Sequence, residues 1–151
     1  MQTPVSLLLM TPRQFVTDNV FFQEPSKNII LMDGTFSRIL YSTSEYTMNG
    51  IFMASYIHGK VEPYFNKHKY IFNQDEPASN ATKRIAQIER DILALMVTSK
   101  IPQFKLKDQL RLGYVKFFSE NTRSDPILSL KISGVWETAT HYGLTYKFQV
   151  H

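Results

Sequence analysis

Two segments of the chain alternate lysine or arginine with aromatic residues, a combination that suits a binding surface better than a catalytic centre. The first segment covers residues 60–70 and the second covers residues 105–118. Single-stranded nucleic acids are bound by cations that follow the phosphates and by flat rings on which the bases stack. The residue types therefore predict non-catalytic binding of single-stranded nucleic acid through Lys67, Lys69, Tyr70, Lys105, Lys107, Arg111, Lys131 and Trp136.

A purely structural interpretation competes with this one. The same alternation arises when a strand packs its rings inward and keeps its lysines in water. For Trp136 the alternatives are an exposed stacking platform and a core residue whose indole N–H bonds a loop carbonyl. Lysines that line one surface with rings beneath them favour nucleic-acid binding, whereas evenly scattered lysines and an exposed apolar patch favour contacts with other subunits.

Residues that could catalyse a reaction or hold a metal show no spacing that would bring them together. The four histidines (His58, His68, His141 and His151) are scattered, the six glycines are isolated, and cysteine is missing. Zinc sites, phosphate-binding loops and activated serine or cysteine nucleophiles each need a compact motif. We therefore predict that the protein is not an enzyme and uses no metal or cofactor.

The composition is that of one globular domain spanning residues 1–151. Hydrophobic residues make up 43%, charged residues make up 20%, and the net charge is +4, which permits a polyanionic partner without requiring one. The lack of cysteine fits an intracellular location, in the cytoplasm or nucleus, better than secretion, because secreted domains are commonly held by disulfides. No apolar run approaches the roughly 20 residues that a membrane span needs, so we expect no membrane partner.

The elements that must position these residues are mostly strands. Residues 126–150 predict a β-hairpin with residues 138–143 as its connection, because apolar side chains alternate with polar ones at Leu128, Leu130, Ile132 and Trp136, and again at Leu144, Tyr146, Phe148 and Val150. Upstream, strands are predicted at residues 5–10, 28–32, 35–42 and 46–57. Asp33-Gly34 marks a turn, and Asn49-Gly50 marks a second turn or a bulge. Residues 104–118 also have strand-like composition, with Gly113 as a bulge.

One helix is predicted at about residues 81–99. Its apolar face is formed by Ile85, Ile88, Ile92, Leu95 and Met96, and either Ser79 or Asn80 caps it. Strands, one helix and further strands predict an α+β, mainly β fold rather than a doubly wound parallel sheet. We expect an antiparallel sheet or a small OB-like barrel with one packed helix.

Two pairs of stretches carry a family resemblance. Residues 33–43 and 46–52 read DGTFSRILYST and YTMNGIF, and residues 130–137 and 142–148 read LKISGVWE and YGLTYKF. In these stretches the chain resembles small β-rich proteins of large eukaryotic DNA viruses, of the kind that infects algae. The resemblance implies a viral context and leaves two roles open, a single-strand-binding accessory of replication or recombination and a minor structural component of the virion.

The alternative to nucleic-acid binding is therefore a viral structural or assembly protein. Such a protein would work through exposed strand edges and aromatic patches, since an antiparallel edge offers unpaired backbone groups. The expected partners are single-stranded nucleic acid or other protein subunits, including further copies of this chain, and the virion is a second expected location.

Overall fold

Two β-sheets and two helices make up the part of the protein that the structure describes. The computed structural model describes residues 9–27, 34–118 and 125–151. Within these residues, a mixed sheet of eight strands curls into a half-barrel, and a separate sheet has three antiparallel strands. The predicted class, α+β and mainly β, is confirmed. In the described part of the chain, neither helix combines the length and the apolarity that crossing a lipid bilayer requires.

The elements follow one another along the chain in a fixed order. The strands are β1 (Val20–Phe22), β2 (Ser26–Lys27), β3 (Thr35–Ser42), β4 (Thr47–Asn49), β5 (Ile51–Ala54), β6 (Gly59–Tyr64), β7 (Lys67–Phe72), β8 (Ile101–Gln103), β9 (Tyr114–Phe117), β10 (Leu128–Glu137) and β11 (His141–Val150). The helices are α1 (Glu76–Ala94) and α2 (Lys105–Leu112), and two short 3-10 turns, Pro12–Gln14 and Thr17–Asn19, precede β1.

The large sheet is centred on the predicted C-terminal hairpin. Strands β10 and β11 pair antiparallel from Leu128 opposite Val150 to Glu137 opposite Tyr142, which confirms the hairpin. Its connection is residues 138–140 and not 138–143, because β11 already begins at His141. β3 and β5 pair with the other edge of β10, and the short β8 adds to β11 in parallel. Leu128, Leu130 and Ile132 are buried on the inner face, as their alternation predicts.

A β-bulge in β10 changes which face Trp136 occupies. The register shifts between Ile132 and Gly134, so Ser133 has no partner on β11. The inserted residue reverses the alternation, and Val135 takes the next buried position. Trp136 therefore lies on the outer face, and its predicted place in the same set as Leu128 is wrong.

The upstream strands agree with the prediction only in part. β3 coincides with the strand predicted at residues 35–42, and it buries Ser37, Ile39 and Tyr41. The strand predicted at residues 46–57 is divided at Gly50 into β4, which pairs with β3, and β5, which pairs with β10. Gly50 permits this change of direction because it adopts a positive φ of 106°. The strand at residues 28–32 and the Asp33 position of its turn lie outside the described residues, as does all of the first predicted strand except Leu9 and Met10.

Helix α1 begins earlier than the sequence indicates. It runs over Glu76–Ala94 and not over residues 81–99, because Asp75 caps it by accepting the Ala78 N–H at 2.9 Å. Pro77 is compatible with this start, since the N–H that proline lacks has no partner in a first helical turn. The predicted apolar face is confirmed at Ile85, Ile88 and Ile92, which are fully buried.

The second helix is absent from the prediction. Residues 105–112 form α2 and not a strand, and Gly113 ends the helix in the left-handed region with a φ of 85°. Leu106 and Leu110 pack inward from α2 into the core that the two sheets and α1 share. The buried carboxylate of Glu89 on α1 accepts the N–H groups of Leu106 and Lys107, each at 2.9 Å. A side chain distant in sequence thus caps α2, whose own N-cap residue, Phe104, provides no side-chain acceptor.

Candidate functional site

The outward surface of the three-stranded sheet carries the strongest concentration of lysines and rings. β7 lies between β6 and β9, with Lys69 opposite both Glu62 and Lys116, and with Ile71 opposite Tyr114. Alternation along each strand puts one set of side chains on the outer surface. We call this surface the small-sheet face, and it consists of Lys60, Glu62, Tyr64, Lys67, Lys69, Ile71, Tyr114 and Lys116, with Phe118 directly after β9.

The ammonium groups of the small-sheet face lie on its aromatic rings. The Lys69 Nζ is 4.2 Å from the Tyr64 ring centre and 4.4 Å from that of Tyr114, and the Lys116 Nζ is 4.6 Å from Tyr64. The Lys67 Nζ lies 4.9 Å from the ring of Phe118, which is 70% exposed. These distances are in the range of favourable cation–π attraction. The rings of the small-sheet face thus lie beneath the ammonium groups of three lysines.

Acidic side chains neutralise little of this positive charge. Of the two ion pairs found between described side chains, one lies on the small-sheet face and joins Lys60 Nζ to Glu62 Oε2 at 3.3 Å. Glu62 therefore engages Lys60, although its backbone is opposite Lys69. Lys69 and Lys116 are directly opposite each other on neighbouring strands, where like charges repel. The centre of the face is an electropositive strip.

The tip of the β6–β7 hairpin extends the row of rings. Phe65 is 91% exposed, and its ring meets that of Tyr64 edge-on at a centroid distance of 4.8 Å. Its backbone has a φ of 53°, in the left-handed region. Phe65 therefore continues the aromatic surface beyond the end of the strands.

The sequence-predicted residues of the first segment lie on opposite sides of β7. Lys67 and Lys69 lie on the small-sheet face, whereas Tyr70 points to the opposite side and is 1% exposed. The Tyr70 hydroxyl donates to the Ile57 carbonyl at 2.8 Å, and burial raises the pKa of the Tyr70 side chain. Its ring is not accessible to a base, so Tyr70 is a core residue and its predicted binding role is wrong.

Three further predicted residues contribute to a second surface of rings and cations on the large sheet. Outward side chains of β3, β5, β10 and β11 form this large-sheet face, namely Phe36, Arg38, Phe52, Lys131, Trp136 and Lys147. Lys131 lies directly opposite Lys147, and its Nζ is 5.2 Å from the ring of Phe52. Lys105 reaches over from the start of α2, with its Nζ 4.8 Å from the ring of Trp136.

The environment of Trp136 combines features of both interpretations of this residue. Its side chain is half-buried and lies across Gly143, where an added Cβ would come within 2.7 Å of the indole. Glycine on the neighbouring strand is therefore what lets the indole lie flat on the sheet. Since Lys105 also lies over the ring, Trp136 is a covered platform on the outer surface.

The remaining two predicted residues stay apart from the rings. Lys107 and Arg111 are exposed on α2, one helical turn apart, and no cation–π contact between described residues includes either of them. Arg111 lines a shallow cavity of about 250 Å³ that it shares with Asp75 and Ser79 at the start of α1. The structure therefore divides the predicted set between two sheet surfaces, one helix and the core.

The residues that complete the small-sheet face belong to the two basic–aromatic segments but were not selected from the sequence. The pairing of β7 with β6 and β9 puts four of them on the same side of the sheet as Lys67 and Lys69, namely Tyr64, Tyr114, Lys116 and Phe118. A two-residue period starting from Lys67 finds Lys69 but passes over Tyr70. The two-residue period therefore shows in the sequence which side chains of one strand lie on the same side. The sequence does not show which strands pair with each other.

A groove separates the three-stranded sheet from the end of β11. It encloses about 670 Å³ and is lined by residues that include Lys116, Phe117, Tyr146, Lys147 and Phe148. The pKa of the Tyr146 hydroxyl is raised by burial and further by the negative charges of Glu89 and Asp108. The groove walls offer rings and cations, and among the described residues no cluster of three or more histidine or carboxylate side chains could hold a metal ion.

Comparison of the chain with protein-family models, with curated proteins and with solved structures finds no match.

Proposed function

We propose that the protein binds single-stranded nucleic acid without catalysing a reaction, and that the small-sheet face is its principal binding surface. The observation that carries the proposal is the opposed pair of Lys69 and Lys116, which share the ring of Tyr64. Like charges facing each other across two strands destabilise a sheet. A phosphate placed between the two ammonium groups would turn this repulsion into attraction.

The rings beneath the lysines supply the second half of the interaction. In the free protein the ammonium groups of Lys69 and Lys116 cover the Tyr64 ring. We expect the flexible lysine side chains to move to the phosphates when a strand binds, which opens the ring to a base. Stacking of this kind contributes about 1–3 kcal/mol per base and accepts every base, because each has a flat face. The expected specificity is for single strands rather than for a sequence.

The large-sheet face supports the same function with the same arrangement. Lys131 and Lys147 form a second directly opposed lysine pair, with the ring of Phe52 beside it. Lys105 and Trp136 form a ring–ammonium contact on that surface. We propose that it is an additional contact for longer strands.

The proposal is tested by titrating the protein with a fluorescently labelled oligonucleotide of about 20 nucleotides at several salt concentrations. We expect the logarithm of the affinity to fall linearly with the logarithm of the salt concentration. The variant Lys69→Ala with Lys116→Ala should bind more weakly, and its salt slope should be smaller by about 1.4, since each phosphate contact on a single strand contributes about 0.7.

The matched control removes the same charge from elsewhere on the surface. Lys27→Ala with Lys83→Ala changes two exposed lysines, on β2 and on the outer side of α1, and should bind like the wild type. Absence of binding by the wild type at low salt would reject the proposal. Equal losses in both double variants would show a response to net charge alone and would reject the small-sheet face as the site.

A second candidate function, assembly with other protein subunits, is favoured by the edge of β11 that faces away from β10, which only β8 covers among the residues that the structure describes. β8 covers only His141, Tyr142 and Gly143 of this edge. The pair Ile127–His151 exchanges backbone hydrogen bonds at 2.9 and 3.0 Å, and such pairs alternate along an antiparallel ladder. The backbone groups of Tyr146 and Phe148 therefore point towards the groove, where an added strand could pair with them.

Sedimentation velocity over a range of protein concentrations tests this second candidate. Self-assembly that persists at high salt and without nucleic acid would favour it over electrostatic binding. A monomer at every concentration would exclude assembly between copies of this chain.

A further inference from the structure

The tip of the β6–β7 hairpin combines two features that work against stability. Phe65 exposes 91% of its surface to solvent, and its φ of 53° lies in a region that bulky side chains rarely adopt. Glycine and asparagine are the residues that hairpin turns normally use for a positive φ. Asn66 stands at the very next position, so the chain places its turn-forming residue one step away from where the strain occurs.

The surroundings of Phe65 relate this strained residue to the small-sheet face. Its ring lies at 77° to that of Tyr64, with the centroids 4.8 Å apart, and Tyr64 is the ring on which both Lys69 and Lys116 rest. Lys67 follows the turn on the other side, and its ammonium lies over Phe118. An aromatic ring that is 91% exposed thus projects beyond a row of cations.

We infer that Phe65 is a base-stacking residue that selects single strands over duplexes, an inference that rests on the proposed function. A base can lie against the Phe65 ring only if it has left its own stack, which is the state of bases in a flexible single strand. The phosphates of the bound strand would then lie towards Lys67, Lys69 and Lys116. In a duplex the base faces are occupied by neighbouring bases, so this contact is lost while the phosphate contacts remain.

The variant Phe65→Asn separates binding from folding because the two effects have opposite signs. Asparagine tolerates a positive φ and removes exposed apolar surface, so the thermal unfolding midpoint should rise by about 2 °C or more. Affinity for a labelled single strand should fall about tenfold, the size of one lost stacking contact. The salt slope should stay unchanged, because no phosphate contact has been removed.

Two further measurements complete the test. Phe65→Trp keeps a flat ring at the tip and should retain wild-type affinity. Binding to a duplex of the same length should be equal for the wild type and Phe65→Asn. If Phe65→Asn binds single strands as tightly as the wild type, or if its weaker binding accompanies a lower unfolding midpoint, the inference is overturned.

These results are distinguishable from failure of the proposed function itself. If Lys69→Ala with Lys116→Ala loses affinity while Phe65→Asn does not, the small-sheet face remains the site and Phe65 is not part of it. If the wild type binds no single strand at low salt, both ideas fail together. The exposed ring would then be left as a contact for another protein.

Discussion

The carboxylate of Glu89 should be one of the largest single contributors to stability, although it lies outside the proposed binding surface. It is fully buried on α1 and accepts the N–H groups of Leu106 and Lys107 at the start of α2. Unsatisfied N–H groups and the positive end of the helix dipole meet at that point. Glu89 thus joins the two helices through a buried negative charge.

The expected cost of Glu89→Ala follows from the exposure of the two donors. Leu106 is fully buried, so its N–H would remain unbonded at a cost of about 1–3 kcal/mol. Lys107 is exposed, so its N–H can bond water and costs less. The lost interaction with the helix dipole adds about 0.3–1 kcal/mol. We expect the free energy of unfolding to fall by about 2–4 kcal/mol.

The isosteric variant Glu89→Gln separates the charge from the shape of the side chain. Its amide oxygen can accept the Leu106 N–H, but its NH₂ group then faces the Lys107 N–H, so two donors meet. Water can relieve that conflict at the exposed end. Because burial raises the pKa of Glu89, a neutral side chain costs less to bury there than the carboxylate does. This gain offsets the lost hydrogen bond, so we expect Glu89→Gln to stay within about 1 kcal/mol of the wild type.

Urea unfolding monitored by circular dichroism measures both variants against Glu45→Gln, an exposed carboxylate in the turn after β3. The control should lie within about 0.5 kcal/mol of the wild type, and all m-values should agree. Equal stability of Glu89→Ala and the wild type would refute the argument, since it would mean that the carboxylate does not cap α2. Equal losses for Glu89→Gln and Glu89→Ala would show that the amide oxygen does not replace the acceptor.

Two further predictions concern pH and the outer surface of the large sheet. Burial raises the pKa of Glu89 above its ordinary value of 4.5, so the folded state binds more protons than the unfolded state just above pH 4.5, and this group should lower stability as the pH rises through that window. Urea unfolding at several pH values should show this slope in the wild type and its absence in Glu89→Gln; identical pH profiles would contradict the assignment. Gly143→Ala would bring a methyl group within 2.7 Å of the Trp136 indole and 3.0 Å of the Gln103 carbonyl, so we expect a loss of about 1–3 kcal/mol. Because Trp136 is the sole tryptophan, its fluorescence reports on this change, and an unchanged emission spectrum with unchanged stability would show that the indole does not lie across Gly143.

Much of the fold is legible in the sequence because burial on one side of an element is a local, periodic property. The two-residue alternation predicted β3 and the β10–β11 hairpin, and the helical spacing predicted the core face of α1. Ile85, Ile88 and Ile92 are buried together because a helix returns to the same side every three or four residues. Such patterns need no knowledge of the partner element.

Other features depend on residues that are distant along the chain. Residues 105–112 consist mostly of good helix formers, with Leu106 and Leu110 one turn apart, and the prediction of a strand is wrong because it treats them as one unit with the strand residues of β9. The cap of α2 is the distant feature, since Glu89 on another helix supplies it. The bulge at Ser133 reverses the alternation and moves Trp136 outward, and it is defined only by the register with β11. Local propensity cannot anticipate the remote cap or the bulge, since both are decided by tertiary contacts.

The candidate site shows the same division between sequence and tertiary structure. Lysines alternating with rings are evident in the sequence, and so is the basic character that suits a polyanion. Only the pairing of β7 with β9 brings Lys69 opposite Lys116. Lys69 and the buried Tyr70 are adjacent in the sequence but point to opposite sides of β7. The amino-acid sequence specifies which chemical groups are present. The tertiary structure decided which of them share a surface, because side-chain direction in a sheet depends on a register set by strands far apart in the chain.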